Sequence, residues 1–315
     1  MTTSRGIPPI AVALAALLAS CGSSPSGTSA NPDKPYPDYS VTYLQGPPDQ
    51  AHMEAKPLAS GGHRFWMLPA TPQTTQWGVY DNGMAPVLRI DSGDTVAIQT
   101  VPAGGGQVAP GINEGQIEKI NGAVPNRGPH TVTGPIYVNG AEPGDVLAIH
   151  INRIRLSNFA TNNTAKGKGL FPDEFPEQVT SYYLDTDKMQ MRFSPNVLVP
   201  LEPFPGVLAV GRSNTTGPWC TDGKCSTEQP GPYGGNMDLP EMQVGSTTYL
   251  PVQVTGGLIW TGDSHAKQGN GEIDLDALET SRIQGFYATA IGLNGLQSSS
   301  SRASAGVLQL RVSRG

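Results

Sequence analysis

Glycine and proline interrupt this chain so often that long helices have little room to form. The sequence contains 39 glycines and 29 prolines among 315 residues. Proline removes a backbone donor and clashes with the preceding helical turn, and glycine in a helix costs conformational entropy, so both destabilise a helix interior. Short apolar runs bounded by Gly, Pro, Asn or Asp recur instead, as is typical of β-strands. The sequence therefore predicts a mainly β fold with few short helices.

Ten of these runs are predicted as strands, and Leu275–Arg282 is the one segment that could form a turn or two of helix. The Gly104–Gly106 run has no helix signal after it, which a phosphate loop would need, so it is expected to be a flexible surface turn. The structure of the polar and aromatic segment from Ser157 to Phe193 is left open. The predicted strands are Val41–Leu44, Arg64–Leu68, Val87–Ile90, Thr95–Thr100, Pro135–Val138, Val146–Ile154, Gly206–Val210, Thr247–Val254, Gly285–Ile291 and Gly306–Val312.

A pattern of strand, glycine turn and strand occurs twice, with a weaker third copy. The copies are Pro86–Val96, Gly134–Leu147 and Met242–Tyr249. Asp94 and Asp145 occupy equivalent turn positions, where an Asp side chain commonly accepts a hydrogen bond from nearby backbone. These two carboxylates are therefore predicted to be structural.

The N-terminus has the features of an export signal. A positive Arg5 precedes an apolar run from Ile10 to Ala19 that is too short to span a bilayer as a mature helix. The run ends in Leu-Ala-Ser-Cys, which resembles a bacterial lipobox whose cysteine, here Cys21, becomes lipidated; an ordinary secretory signal is the alternative. We expect residues 1–20 to be a signal peptide, 21–40 a Ser/Pro/Gly tether and 41–315 the folded domain. The expected location is extracytoplasmic, lipid-anchored to a bacterial membrane.

The two remaining cysteines, Cys220 and Cys225, flank a short segment with a turn-forming Asp-Gly. An oxidising compartment favours a disulfide between them. Two free thiols or half of a metal site are the alternatives, although no further cysteine exists to complete a zinc cluster.

The charge of the chain excludes some partners. Charged residues make up 15% of the chain, the net charge is −6, and no basic cluster occurs. Nucleic acid is therefore not an expected partner.

The segment Gly262–Glu272 combines two acids, an imidazole and two amides with three glycines. In an extended strand, residues i and i+2 point to the same face, so Asp263 and His265 could converge on one atom. Together with His130 they could hold a divalent metal, zinc above all, and Glu272 or Glu279 could act as a general base. The alternative is a hairpin with solvated polar side chains. Ser264 lies between Asp263 and His265 and faces the other way, so these three do not form a catalytic triad.

The other histidines are expected to be structural, because an imidazole on a strand is more often a satisfied polar group than a ligand. This applies to His150, His52 and His63.

Several longer segments resemble the acetamidase/formamidase family. They are Gly128–Leu147, Gly234–Asp238, Gly262–Glu272 and the earlier Leu68–Thr74 with Trp77–Asp81, and the likeness extends from about Gly62 to Val312. The resemblance implies a β-sandwich-like domain with an additional mixed α+β part, frequently assembled as a homo-oligomer. It also implies hydrolysis of a short linear amide to a carboxylate and ammonia, with zinc or calcium as cofactor.

The resemblance places the polar site on His130, Asn236, Asp238, Asp263, His265 and Glu272, with Glu279 as a further candidate. From it we predict metal ligands (His130, Asp238, Asp263 and His265), catalytic residues (Glu272, Asn236 and Glu279) and substrate-binding residues (Asn236, Tyr233 and Gln268).

The chain departs from the family pattern at three positions. Gln76 and Tyr233 stand where many relatives have His, and Asn270 stands where Asp is usual. These departures favour a second hypothesis, an extracytoplasmic lipoprotein that binds a small ligand on the amidase fold without hydrolysing it. A third hypothesis is an amidase for larger substrates.

Overall fold

The computed structural model describes residues 56–57, 64–123, 127–280, 286–292 and 310–313. Strands dominate these residues, as the sequence predicts. In chain order they are β1 (Lys56–Pro57), β2 (Arg64–Leu68), β3 (Thr75–Trp77), β4 (Val79–Asp81), β5 (Leu88–Ile90), β6 (Thr95–Ile98), β7 (Thr131–Val138), β8 (Val146–Ile151), β9 (Phe159–Thr164), β10 (Gln178–Asp185), β11 (Gln190–Ser194), β12 (Val197–Pro200), β13 (Phe204–Ala209), β14 (Cys220–Thr221), β15 (Lys224–Ser226), β16 (Gly234–Asn236), β17 (Thr247–Pro251), β18 (Ile259–His265), β19 (Glu279–Thr280), β20 (Phe286–Gly292) and β21 (Leu310–Ser313).

The strands form two large sheets and one small one. The seven-stranded sheet has the order β1-β2-β6-β20-β21-β8-β17. The eleven-stranded sheet follows β12-β11-β10-β9-β19-β18-β13-β16, and β7 joins it on β18 together with β3 and β5. A core of fully buried side chains lies between the two large sheets, including Ile98 and Ile149 from the first and Val207 and Trp260 from the second. This packing confirms the β-sandwich-like architecture.

Helical structure is limited to α1 (Ala103–Gly106) and α2 (Glu114–Gly122) among the described residues. The helix α2 was not predicted from the sequence, although its start carries a capping box. The Asn113 side chain accepts a hydrogen bond from the Gln116 backbone N–H, and the Gln116 side chain accepts one from the Asn113 backbone N–H. No helix in the described part of the chain is long and apolar enough to cross a membrane.

Two local expectations were wrong. The described part of Leu275–Arg282 contains no helical turn and ends in the short strand β19 (Glu279–Thr280), because Glu279 and Thr280 pair with β9 and β18. The Gly104–Gly106 run is buried rather than a surface turn. Its backbone is satisfied internally, since Gly104 donates to the Pro129 carbonyl and Gly105 donates to the Thr131 hydroxyl.

The turn roles of the two repeated aspartates are confirmed. Asp94 accepts from the backbone of Asp91 at 3.0 Å, and Asp145 accepts from the backbone of Glu142 at 3.0 Å. The segment left open, Ser157 to Phe193, supplies β9, β10 and most of β11. Cys220 and Cys225 lie opposite each other on β14 and β15 and are joined by a disulfide. His52, His63 and Cys21 lie outside the described residues.

Candidate functional site

The candidate site lies on β18, at the point where the strand paired along one of its edges changes from β7 to β19. Along one edge β18 pairs with β7 as far as Gly262↔Val132, and it pairs with β19 at His265↔Glu279. Asp263 falls between these two pairings, while the other edge of β18 is bonded to β13. A break of this kind on a central, fully buried strand gives polar side chains a fixed position away from bulk solvent.

Asp263 and His265 converge as their spacing predicts. The Asp263 Oδ2 atom lies 3.3 Å from His265 Nε2, and both side chains are buried. The intervening Ser264 faces the other way, where its hydroxyl lies 2.7 Å from the Thr100 hydroxyl. The structure therefore agrees with the sequence argument that these three consecutive residues form no triad.

Three further residues predicted for the site reach the same place. Asp238 Oδ1 lies 4.0 Å and Glu279 Oε1 lies 3.1 Å from His265 Nε2. His130 Nε2 lies 3.7 Å from Asp263 Oδ2, and its Nδ1 atom is held 3.2 Å from Thr227. His130 thus approaches the cluster from the start of β7, beside Asp263.

Two groups of side chains have ligand atoms within 4.8 Å of one another, close enough to share a metal ion. The first is Asp238, Asp263 and His265, and the second is His265, Glu272 and Glu279. His130 belongs to neither group.

Two observations fit a cation in the first group. Asp238 Oδ1 is buried without a hydrogen-bond partner among the described residues. A Cβ atom added to Gly206 would lie 2.5 Å from Asp263 Oδ2, 2.7 Å from Asp238 Oδ1 and 2.8 Å from His265 Cε1. The absence of a side chain at Gly206 therefore keeps open the space on which these three groups converge.

The pKa values of the two carboxylates Asp238 and Asp263 are shifted in opposite directions in the folded protein. Burial raises the pKa of Asp238 to about 8, and the charge of Asp263 adds to the effect. Burial also acts to raise the pKa of Asp263, but the charges of His130 and His265 outweigh it and lower that pKa to about 2. Burial acts to lower the pKa of His265, while Glu279 and Asp263 raise it well above its usual value. Without a cation, Asp238 is therefore a carboxyl that holds a proton near neutral pH, whereas Asp263 is ionised.

The backbone at the site is strained. Seven non-glycine residues of the described chain have positive φ, and three of them are site carboxylates: Asp238 at 43°, Asp263 at 53° and Glu272 at 35°. Such conformations persist only where surrounding structure holds them, and they concentrate at functional sites. For Asp238 that support is visible, since its backbone N–H donates to the Gly206 carbonyl at 3.1 Å.

The predicted substrate-binding residues lie around the carboxylates, and they differ in which of their polar side-chain atoms already have hydrogen-bond partners. Asn236 donates its NH2 group to the Glu228 carbonyl at 3.2 Å, while its Oδ1 atom is buried without a hydrogen-bond partner in the part of the chain that is described. Gln268 donates to the Asp238 carbonyl at 2.9 Å, and its Oε1 atom is likewise unpaired. The Tyr233 hydroxyl is engaged with the Gln229 carbonyl at 2.6 Å.

Three residues at or beside the site are not among those predicted from the sequence: Gly206, Tyr80 and Asp276. Asp276 is held by the backbone of Asn163 and the side chain of Asn162. Burial raises its pKa well above the usual value, and the charge of Glu279 acts in the same direction. The sequence pointed to Asp276 only through the run of acidic residues that follows Glu272.

Comparison with known proteins identifies the group to which this fold and site belong. The Acetamidase/Formamidase family model matches residues 70–217 and 221–291, so the chain belongs to that family. It is 28% identical over 238 residues to a putative formamidase of Schizosaccharomyces pombe, covering 59% of this chain and 56% of the relative. It is 24% identical over 258 residues to a formamidase of Methylophilus methylotrophus, covering 66% and 61%. The chain therefore aligns with less than two thirds of either relative's length.

Among solved structures, the chain resembles an acetamidase from Bacillus halodurans. The TM-score is 0.59 at 26% sequence identity, with 71% of this chain and 68% of that one covered. The likeness confirms the fold expected from the family resemblance.

Proposed function

We propose that this chain hydrolyses the C–N bond of a short linear amide of the formamide or acetamide type, releasing a carboxylate and ammonia. Family membership and the names of the relatives support the reaction class. The observation that carries the proposal is the convergence of Asp238, Asp263 and His265, with ligand atoms within 4.8 Å of one another, beside Glu272 and Glu279.

We propose a divalent metal in this cluster, and zinc before calcium. An imidazole with two carboxylates is a donor set typical of zinc, whereas calcium prefers six to eight oxygen ligands. Asp238, Asp263 and His265 would hold the ion, with His130 orienting Asp263 from outside the group. When bound, such an ion would activate water and polarise an amide carbonyl.

Glu272 is the proposed proton carrier. Burial raises its pKa, His265 opposes that shift, and the charges of Glu279 and Asp263 reinforce it. A carboxylate with a raised pKa is a better base at neutral pH, so Glu272 can take a proton from the attacking water and deliver it to the departing nitrogen. Glu279 lies against His265 and would hold the imidazole in place.

Asn236 would orient the substrate through its oxygen. Its NH2 group already donates a hydrogen bond to the Glu228 carbonyl, while Oδ1 is buried without a hydrogen-bond partner among the described residues. An unsubstituted amide has N–H groups that can donate a hydrogen bond to this oxygen. Such a bond removes the free-energy cost of leaving a buried acceptor without a partner.

The test is ammonia release from formamide, acetamide and longer amides, with and without a chelator, on protein whose metal content has been measured. Turnover that chelator abolishes and zinc restores supports the proposal. Metal-replete protein that releases no ammonia from any amide contradicts it.

A binding protein without hydrolytic activity is the second candidate. Both residues that stand where many relatives have His are committed to structural contacts. Gln76 accepts from the Asp81 backbone and donates to the Met84 sulfur, and Tyr233 donates to Gln229. Amide binding without ammonia release would favour this candidate.

We propose further that the protein is lipidated at Cys21 and anchored to a bacterial membrane outside the cytoplasm. The lipobox-like Leu-Ala-Ser-Cys and the apolar run before it support this location. Mass spectrometry of the mature N-terminus tests it: an acylated Cys21 is expected, and an unmodified or retained N-terminus would contradict it.

A further inference from the structure

The Tyr80 hydroxyl is a buried polar group that the proposed reaction does not yet use. Tyr80 lies on β4 and is 2% exposed. Its hydroxyl has no hydrogen-bond partner among the residues that the structure describes. Because a buried hydroxyl without a partner is unfavourable, this hydroxyl is available to a group outside the described residues, such as a bound ligand.

The ring of Tyr80 lies against rings from two of the segments that carry site residues. Its centroid is 5.7 Å from the ring of Trp260, three residues before Asp263 on β18. It is also 6.0 Å from the ring of Tyr233, three residues before Asn236. Tyr80 is therefore packed against two elements that also carry site residues.

Among the described residues, three unpaired buried acceptor atoms lie at the cluster: Asn236 Oδ1, Asp238 Oδ1 and Gln268 Oε1. The Nδ1 atom of His265 and the indole N–H of Trp260 are also buried without a partner there. An amide substrate presents N–H groups that suit these acceptors, but its carbonyl oxygen needs a donor. The Tyr80 hydroxyl can supply one.

The hydroxyl keeps its proton in this environment. Burial raises the pKa of Tyr80 well above its usual value, and Tyr233, Asp263 and Asp238 all act in the same direction. The influence of both site carboxylates agrees with a hydroxyl that lies near them. A phenol in this state keeps its proton, and so its ability to donate a hydrogen bond, near neutral pH.

We propose that Tyr80 is a catalytic residue whose hydroxyl donates a hydrogen bond to the carbonyl oxygen of the bound amide. The inference rests on the proposed amidase function. The bond strengthens as negative charge develops on that oxygen during attack by water, so it favours the transition state over the bound substrate. No proton is transferred, and the phenol remains neutral throughout.

A purely structural hydroxyl, bridged by water to Asp263, is the competing explanation. The two differ in what Tyr80→Phe changes. Loss of a structural bridge lowers thermal stability and disturbs the carboxylates, and therefore metal content. Loss of a donor to substrate lowers turnover while thermal stability and metal content are kept.

The experiment compares Tyr80→Phe with Tyr249→Phe, a matched control on an exposed ring of β17. Thermal midpoint, metal content, kcat and KM for acetamide are measured for both. We expect kcat/KM of Tyr80→Phe to fall roughly 10- to 100-fold, mainly in kcat, with the other two readouts at wild-type values. Activity of Tyr80→Phe within about twofold of wild type overturns the proposal, as does a parallel loss of metal and stability.

If the protein is not an amidase, the wild type itself releases no ammonia. That outcome is therefore distinct from a failure of the role proposed for Tyr80. In that case the affinity for acetamide, measured by calorimetry on metal-free and metal-loaded protein, decides the role of Tyr80. At least tenfold weaker binding by Tyr80→Phe supports a hydrogen bond to the amide. Equal affinity, or no acetamide binding by the wild type, overturns it.

Discussion

Asp263 and His265 stand two residues apart on β18, and their side chains meet with Oδ2 and Nε2 separated by 3.3 Å. The strand brings them to one face, and the carboxylates of Asp238 and Glu279 reach the same imidazole nitrogen. Three carboxylates from three segments of the chain thus meet at one imidazole ring.

We expect His265→Ala and Asp263→Ala to lose bound metal and at least about 1,000-fold in turnover, because each removes a ligand shared by the cluster. Elemental analysis and ammonia release measure both effects. Ser264→Ala is the matched control on the same strand, since its hydroxyl contacts Thr100 on the opposite side. Wild-type metal content and turnover in either site variant would contradict the assignment.

Gly206→Ala tests whether the open space between the ligands matters. The added methyl group would lie within 2.8 Å of three site atoms, so ligand side chains must move. We expect a loss of metal affinity and turnover of at least about tenfold with retained folding, because the crowded atoms are side-chain ends rather than backbone. Gly269→Ala, where an added Cβ meets nothing within 4 Å, is the control. Unchanged metal affinity in Gly206→Ala would show that the ion binds elsewhere.

Metal affinity should rise with pH. The pKa of Asp238 is about 8 in the folded protein and 3.8 ordinarily, so the folded site holds a proton that a cation must displace. Affinity measured by chelator competition at pH 6, 7 and 8 should therefore increase steadily. Asp238→Asn should bind metal more weakly and show a shallower pH dependence. An affinity independent of pH in the wild type would contradict this account.

The same shift predicts how the metal-free protein responds to pH. An acid whose pKa is raised on folding binds its proton more tightly in the folded state, so its contribution favours folding at low pH. That contribution is lost as pH rises from about 4 to about 8. Chemical denaturation across this range should show Asp238→Asn losing less stability with rising pH than the wild type. Parallel profiles for the two proteins would show that Asp238 is not the group responsible.

The disulfide should contribute modestly to stability. Closing the short loop between Cys220 and Cys225 removes chain entropy from the unfolded state worth roughly 2 kcal/mol. The double variant Cys220→Ser, Cys225→Ser should therefore be less stable by about that amount in a denaturant titration. A reducing agent should give the same decrease in the wild type and none in the variant.

Local patterns predicted much of the fold. Gly and Pro spacing indicated a β protein, the strand period placed Asp263 beside His265, and the turn roles of Asp94 and Asp145 are confirmed. The helix α2 was missed because its start is marked only by the Asn113–Gln116 capping box, and its apolar face is weak. The strand β19 was mistaken for helix because its pairing partners come from distant segments.

The site was harder to predict where it depends on tertiary contacts. Family resemblance named its carboxylates and histidines, but one sequence does not show that Gly206 lies opposite Asp263 or that Tyr80 packs against Trp260. Nor does it show which end of Asn236 is already occupied, which depends on the backbone of Glu228. These features arise from strand register and from loops that meet only in the folded domain.

The position of β18 between hydrogen-bonded neighbours has a consequence for how the protein loses activity. Apart from the break at Asp263, its backbone is paired with β13 along one edge and with β7 and β19 along the other. Amide protons in such a strand exchange with solvent only when a large part of the domain opens. Heat should therefore inactivate the protein in a single step together with global unfolding, rather than through early fraying around Asp263.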